Sequence, residues 1–328
     1  MKKSLTYITL ILIAALCQRL NAQQLPSFTQ YLNNGFLIKP AIAGSDGYTS
    51  FNATYRKQWV GFEDSPTTYS FSGQTRLLRQ SYRIISRNVR KNVVKPSTKG
   101  RVGLGGFAFN DANGLVNRTG ISLAYAYHII LYQSQISFGI AGQAYQYRID
   151  ETMLEFGSEN TDPIKDRGLD LVTFIPDANA GFYWTSEKHF LGVSANQLFQ
   201  SVLKLGSSDF GKLKLYRHYY FMGGYKFPIG REFAVEPSAL VKTTEQLMPQ
   251  VDISLRLMYL DDYWAGVAYR TSGSVSALFG IRAEQLYLGL AYDYSVTSIR
   301  KHSFGSAEIV LAYKFGSNAR RYRWINRY

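Results

Sequence analysis

The sequence has a single cysteine, Cys17, and it lies within the first 22 residues. If those residues are removed, disulfides, thiol nucleophiles and thiolate metal sites are excluded. Long apolar runs are also missing. Beyond residue 22 no stretch reaches the length of a membrane helix. The four histidines, His128, His189, His218 and His302, lack ligand spacing, and there is no His-Glu-x-x-His. A Gly-x-Ser-x-Gly elbow is absent. Gly103-Leu104-Gly105-Gly106 imitates a glycine loop. It falls in a strand pattern, where glycines relieve crowding inside a barrel. These absences predict a protein without catalytic, metal or cofactor sites. Serines are plentiful, so serine-based lipid hydrolysis stays open, but no pattern selects it.

The N-terminus has the layout of an export signal. Lys2 and Lys3 precede an almost wholly apolar or small run from Ser4 to Leu16, and Ala22 precedes Gln23. Cleavage after Ala22 is expected. Leu16 before Cys17 is too large for a lipidation site. Loss of Lys2, Lys3 and Arg19 leaves 34 basic against 23 acidic residues, a net charge of +11. Such a charge suits nucleic acid, an anionic surface or an acidic protein. Export argues against nucleic acid.

What remains is rich in tyrosine, phenylalanine and glycine, and it alternates with period two. Val251, Ile253, Leu255, Leu257 and Tyr259 share one face; Gln250, Asp252, Ser254 and Arg256 share the other. The same pattern sets Leu286, Leu288, Leu290, Tyr292 and Tyr294 against Asp293, and Ile309, Leu311 and Tyr313 against Glu308. A soluble sandwich also alternates. Three features favour an inverted arrangement, apolar face outward: runs of nine or more residues, tyrosines near the row ends, and charges mixed with small residues on the other face. The reading is an all-β fold, a transmembrane antiparallel β-barrel of about 14 strands. An even count puts both the N- and C-termini on the periplasmic side. Arg56, Asp252, Arg256, Asp293 and Glu308 are the expected lumen network, since inward charges must be paired or solvated.

The domain reading follows. Residues 1–22 are the signal and 23–47 a periplasmic segment leading into the barrel. Residues 48–315 are the barrel and 316–328 a periplasmic tail. Long connections such as 58–66, 151–176, 198–215 and 295–305 face outside. Trp59 and Phe62 fold an outer loop against the mouth or offer a contact to a partner. The connection 76–101 is the long exception on the periplasmic side. It carries nine basic residues and no acid, among them Arg76, Arg79, Arg83, Arg87, Arg90 and Lys91. The tail adds Arg320, Arg321, Arg323 and Arg327 beside Tyr322 and Trp324. Interleaved Leu78, Tyr82, Ile84 and Ile85 suggest a docking surface rather than a solvated charge run.

Several short motifs together resemble one family. They are Ser27-Phe28-Thr29-Gln30-Tyr31-Leu32, Pro40-Ala41 with Ala43-Gly44, and Tyr55-Arg56-x-Gln58-Trp59-x-Gly61-Phe62. Phe109-Asn110-Asp111, Pro176-Asp177-Ala178-Asn179, Asn196-Gln197-Leu198 and Arg217-His218-Tyr219 continue the series. The combination resembles the PorP/SprF family over almost the whole mature chain. Ile38-Lys39-Pro40 departs from it, as does the basic 76–101 connection. The resemblance implies an outer-membrane component of the Bacteroidota type IX secretion and gliding system. It also implies partners: periplasmic secretion proteins and a large adhesin-like surface protein, with outer-membrane lipid around the barrel. A porin or transporter, and a lipid-modifying barrel enzyme, are the competing functions.

Overall fold

The computed structural model describes residues 28–77, 101–131, 133–149, 172–200, 202–204, 212–246 and 249–315. Over these residues the chain forms a closed antiparallel sheet of fourteen strands. In order they are Thr49–Lys57, Thr67–Leu77, Val102–Asn113, Val116–Leu131, Ser134–Ile149, Val172–Ser186 and His189–Asn196, then His218–Tyr225, Phe233–Thr244, Gln250–Tyr259, Tyr263–Arg270, Ser274–Ala283, Leu286–Ser295 and Ser306–Phe315. Phe227–Ile229 prolongs the eighth strand, and both pieces pair with the ninth. The first strand pairs with the last, from Thr49 opposite Phe315 to Lys57 opposite Ala307. Closure leaves no bare edge, which lipid would not tolerate. A small hairpin, Val202–Lys204 with Lys212–Lys214, lies outside the barrel sheet.

The faces follow the alternation. In the first strand Ser50, Asn52, Thr54 and Arg56 are buried inside, while Phe51 and Ala53 are exposed. In the tenth, Asp252, Ser254, Arg256 and Met258 turn inward; Ile253, Leu255, Leu257 and Tyr259 turn outward. Aromatics gather near the row ends as interface girdles. Phe71, Phe51 and Phe315 stack across three adjacent strands, and Phe233, Tyr259 and Tyr263 do so across three others. Short turns such as Glu187-Lys188 mark one end, assigned to the periplasm. The long loops mark the other.

The wall is uneven. The fourth, fifth and sixth strands have 16, 16 and 15 residues, whereas the seventh and eleventh have 8. The sixth begins at Val172, five residues before the expected start. Pro176 falls within this added length. It lies where the ladder to the seventh strand has ended, at Ala180 opposite Ala195, and an outer strand tolerates a missing N–H. The second strand likewise runs on to Leu77, so Arg76 belongs to the wall rather than to the basic connection.

A larger correction concerns the segment expected beneath the barrel. Residues 28–47 lie inside it. The side chains of Tyr31, Leu32, Phe36, Ile38 and Ala41 are buried among lumen-facing residues of the wall. The physical cause is volume. The interior of so wide a cylinder exceeds what its own side chains fill, and the nearest covalently attached chain occupies the rest.

Two substitutions test the faces. Leu255→Arg on the lipid face should cost about 2–4 kcal/mol in a refolding titration into vesicles. Ser254→Ala one residue away removes hydrogen bonds to Ser238 and Tyr31 and should cost about 1 kcal/mol. Equal costs, or the reverse order, would contradict the assigned parity.

Candidate functional site: a plugged lumen

The internal segment is built from two short 3-10 turns, Gly35–Leu37 and Pro40–Ile42. Pro40 opens the second, where its fixed φ suits a turn and no N–H is required. Compactness lets the segment approach the wall closely, and glycine makes room. A Cβ on Gly139 would fall 2.3 Å from the Ala41 nitrogen, and one on Gly103 would fall 1.9 Å from the Ala43 oxygen. Gly103 and Gly105 thus relieve crowding against the plug, the latter beside the Phe36 ring.

The lumen charges converge on the N-terminal end of the segment. Arg56 lies 2.7 Å from Asp293 and 2.8 Å from Glu308, all three buried. Arg56 and Glu308 face each other in register across the closing seam. Arg270 donates to Asp252 at 3.0 Å and stands 3.9 Å from Asp293. Arg256 pairs with Glu236 at 2.5 Å and lies over the Trp264 ring. The plug binds to this frame through neutral groups. The backbone N–H groups of Thr29 and Gln30 donate to the two Glu308 oxygens at 2.7 and 3.0 Å. The Thr29 hydroxyl donates to Asp293 at 2.7 Å, and Asn33 Oδ1 accepts from Arg256 at 3.0 Å.

All five expected network residues therefore face the lumen, in two linked groups. Arg270 and Glu236 were missed, although strand parity was available to find them: both share a face with recognised lumen residues. Thr29 and Gln30 stood in a recognised motif without an assigned role. Buried at the plug's centre is Lys39, whose Nζ has no hydrogen-bond partner among the described residues and lies 5.9 Å from the Tyr183 ring centroid. Its side chain runs past Gly192 towards the Tyr183 ring.

The candidate partner residues separate. Trp59 is half-buried and held at the outer rim, its backbone N–H donating to Ser306 Oγ at 3.1 Å. Val60 exchanges backbone bonds with Phe304 and Gly305, tying two outer loops together. Phe62 beside it is exposed. Arg76, grouped with the basic connection on sequence, turns into the lumen instead. It donates to the carbonyls of Gly44 and Ser45 and to Gln135. The strand extends to reach those carbonyls. Arg79, Arg83, Arg87, Arg90, Lys91, Tyr322 and Trp324 lie outside the described residues, as does the signal. Among the described residues no cluster of metal-ligating side chains occurs.

A fourteen-strand barrel, apolar outside and occupied inside by its own N-terminal segment and buried ion pairs, defines an outer-membrane β-barrel protein. The family described as "Type IX secretion system membrane protein PorP/SprF" matches residues 20–313, and the chain belongs to it. It is thus a non-enzymatic outer-membrane component associated with the type IX secretion machinery. No curated protein matches the chain. Solved barrels resemble it distantly. The Ralstonia pickettii toluene transporter TbuX is 8% identical with a TM-score of 0.48, covering 86% of this chain and 93% of that one. The KdgM porin in complex with disordered oligogalacturonate is 8% identical with a TM-score of 0.37, covering 81% and 99%. BamA from Haemophilus ducreyi lacking POTRA domains 1–3 is 10% identical with a TM-score of 0.39, covering 81% and 70%. Likenesses this distant carry no argument about function.

Arg56→Ala should destabilise the barrel by about 3–5 kcal/mol, because it leaves Glu308 buried without its cation and Asp293 with only Arg270 at 3.9 Å. Urea unfolding followed by gel mobility without boiling measures it. A cost below about 1 kcal/mol would show that the network is hydrated rather than structural.

Proposed function

We propose that this barrel assists the secretion or surface anchoring of a large adhesin-like protein, and that it docks to periplasmic proteins of the same apparatus through its basic connection and tail. The carrying observation is the occupied lumen. Residues 28–47 fill the interior of the barrel and are tied to several of its strands. A substrate threading the barrel would have to displace this segment, which supports the rims as the working surfaces. At the outer rim Phe62 and Phe304 are exposed on a pair of loops tied by backbone hydrogen bonds. On the periplasmic side the docking reading rests on sequence: nine basic residues between Arg76 and Arg101, and four arginines after Gly316, with no acid in either group. Arg76 is committed to the lumen, so the remaining eight carry the charge. Arginines would steer an acidic partner and orient it, with an attraction that weakens as salt rises.

The test is native purification in mild detergent with identification of co-purifying proteins. It should be repeated after Arg79, Arg83, Arg87, Arg90 and Lys91 are replaced by serine. The variant should fold and keep its heat-dependent gel mobility. Periplasmic partners should be lost and surface display of the adhesin should fall. An unchanged partner list with unchanged display would reject docking through this connection.

A further inference from the structure

The internal segment is held in two different ways. Residues 43–46 are fastened at the short-turn end by charged and polar wall groups. Arg76 donates to Gly44 O and Ser45 O at 2.9 and 3.0 Å, and Gln135 donates to Ser45 O at 3.2 Å. His128 Nε2 bonds Ala43 O at 2.9 Å, and Lys314 pairs with Asp46 at 3.1 Å. Among the described residues, 28–42 hydrogen-bond to the wall only through neutral groups, and their one charged side chain, Lys39, meets the wall at the Tyr183 ring, 5.9 Å from its centroid. Besides the contacts of Thr29, Gln30 and Asn33, Asn34 donates to Thr54, while Ser194 and Asn196 donate to Ile38 O. Among the described residues no ion pair joins 28–42 to the wall. The wall charges that face it pair with one another: Arg56 with Asp293 and Glu308, Arg270 with Asp252, Arg256 with Glu236.

This asymmetry has a thermodynamic consequence. If 28–42 leaves, every one of those charges keeps an opposite charge beside it. What is lost is a set of N–H, hydroxyl and amide contacts that water replaces. The only charge carried by 28–42 is Lys39, which has no hydrogen bond among the described residues inside and regains hydration outside. Cavities of about 70 and 60 Å3 border the segment, one against Phe28, Leu37 and Ile38, the other against Asn33, Asn34 and Gly35. Both are large enough for water to enter. Gly44, at φ +63°, lies within the fastened part, where a Cβ would fall 2.6 Å from the Thr75 oxygen, so this part of the backbone stays against the wall. Opposing all this, Tyr31, Leu32, Ile38 and Ala41 pack against Tyr183, Phe190 and Met222 and keep the lumen closed at rest.

We propose that residues 28–42 are a displaceable plug. They leave the lumen as a unit about the fastened residues 43–46 and open a water-filled passage for small hydrophilic solutes through the intact barrel. This activity is independent of the docking role and would survive its failure.

Hydrogen exchange on the full mature chain in lipid nanodiscs tests it. Amides of 28–42 should exchange together, at least ~100-fold faster than those of the facing strands Thr49–Lys57 and Gln250–Tyr259. Lys39→Met should slow that exchange at least ~10-fold, because it removes the one charge favouring exit. The cysteine-free mature chain permits a clean lock. Asn34→Cys with Thr54→Cys places two thiols where the native side chains are 3.1 Å apart. Oxidation should abolish conductance steps in a planar bilayer, and reduction should restore them. Exchange of 28–42 no faster than that of the strands overturns the proposal, as does identical conductance in the two redox states. If the disulfide does not form, the exchange rates of the wild-type and Lys39→Met proteins decide alone.

Discussion

Arg56 stands between two carboxylates that come from the other side of the barrel's closing seam, and most of the architecture is organised around it. Its strand is the first and Glu308 lies on the last, directly opposite. Asp293 comes from the strand before that. The cluster therefore draws three neighbouring strands together at the point where the sheet has to meet itself. Lipid makes that meeting compulsory, since an open edge would leave a row of peptide groups without partners. The same two carboxylates then receive the start of the plug through Thr29 and Gln30. Closing the wall and filling the interior are thus one act of charge placement.

Burying such a cluster is expensive in desolvation, and hydrophobic substitutes of equal volume are often no less stable. What charges offer here is direction. An apolar lumen would accept the segment 28–42 in many poses, whereas Glu308 accepts two consecutive amide N–H groups with its two oxygens and fixes one pose. The polar lumen also keeps the interior compatible with water, which a core of leucines would not. Rigidity of the wall and exchangeability of its contents coexist because ion pairs serve the first and neutral hydrogen bonds the second.

The wall was legible in the sequence because its chemistry repeats every two residues over long runs. The alternation of Ile253, Leu255 and Leu257 with Asp252, Ser254 and Arg256 is enough to assign both faces. The lumen network followed from parity for five of its members, and Glu236 and Arg270 needed only the same rule applied to their own strands. The plug was not legible. Residues 28–47 have no long period, their 3-10 turns are too short to leave one, and nothing local distinguishes a segment beneath a barrel from one inside it. Arg76 misled for a related reason. A cation adjoining a basic run looks like part of that run until the carbonyls it binds, those of Gly44 and Ser45, are known to lie across the lumen.

The uneven wall gives the molecule a front and a back. A strand of 16 residues, such as Val116–Leu131, rises roughly 40 Å at the usual tilt, against an apolar band of about 25 Å. On that flank the sheet stands above the bilayer as a parapet, with Phe174 and Gln146 on its outer surface. Across from it, 8-residue strands such as Tyr263–Arg270 rise only roughly 20 Å, short of the full apolar band. A neighbour gliding in the membrane plane would meet a tall face from one side and a low sill from the other. The barrel therefore has a compass bearing within the membrane, fixed by strand length alone.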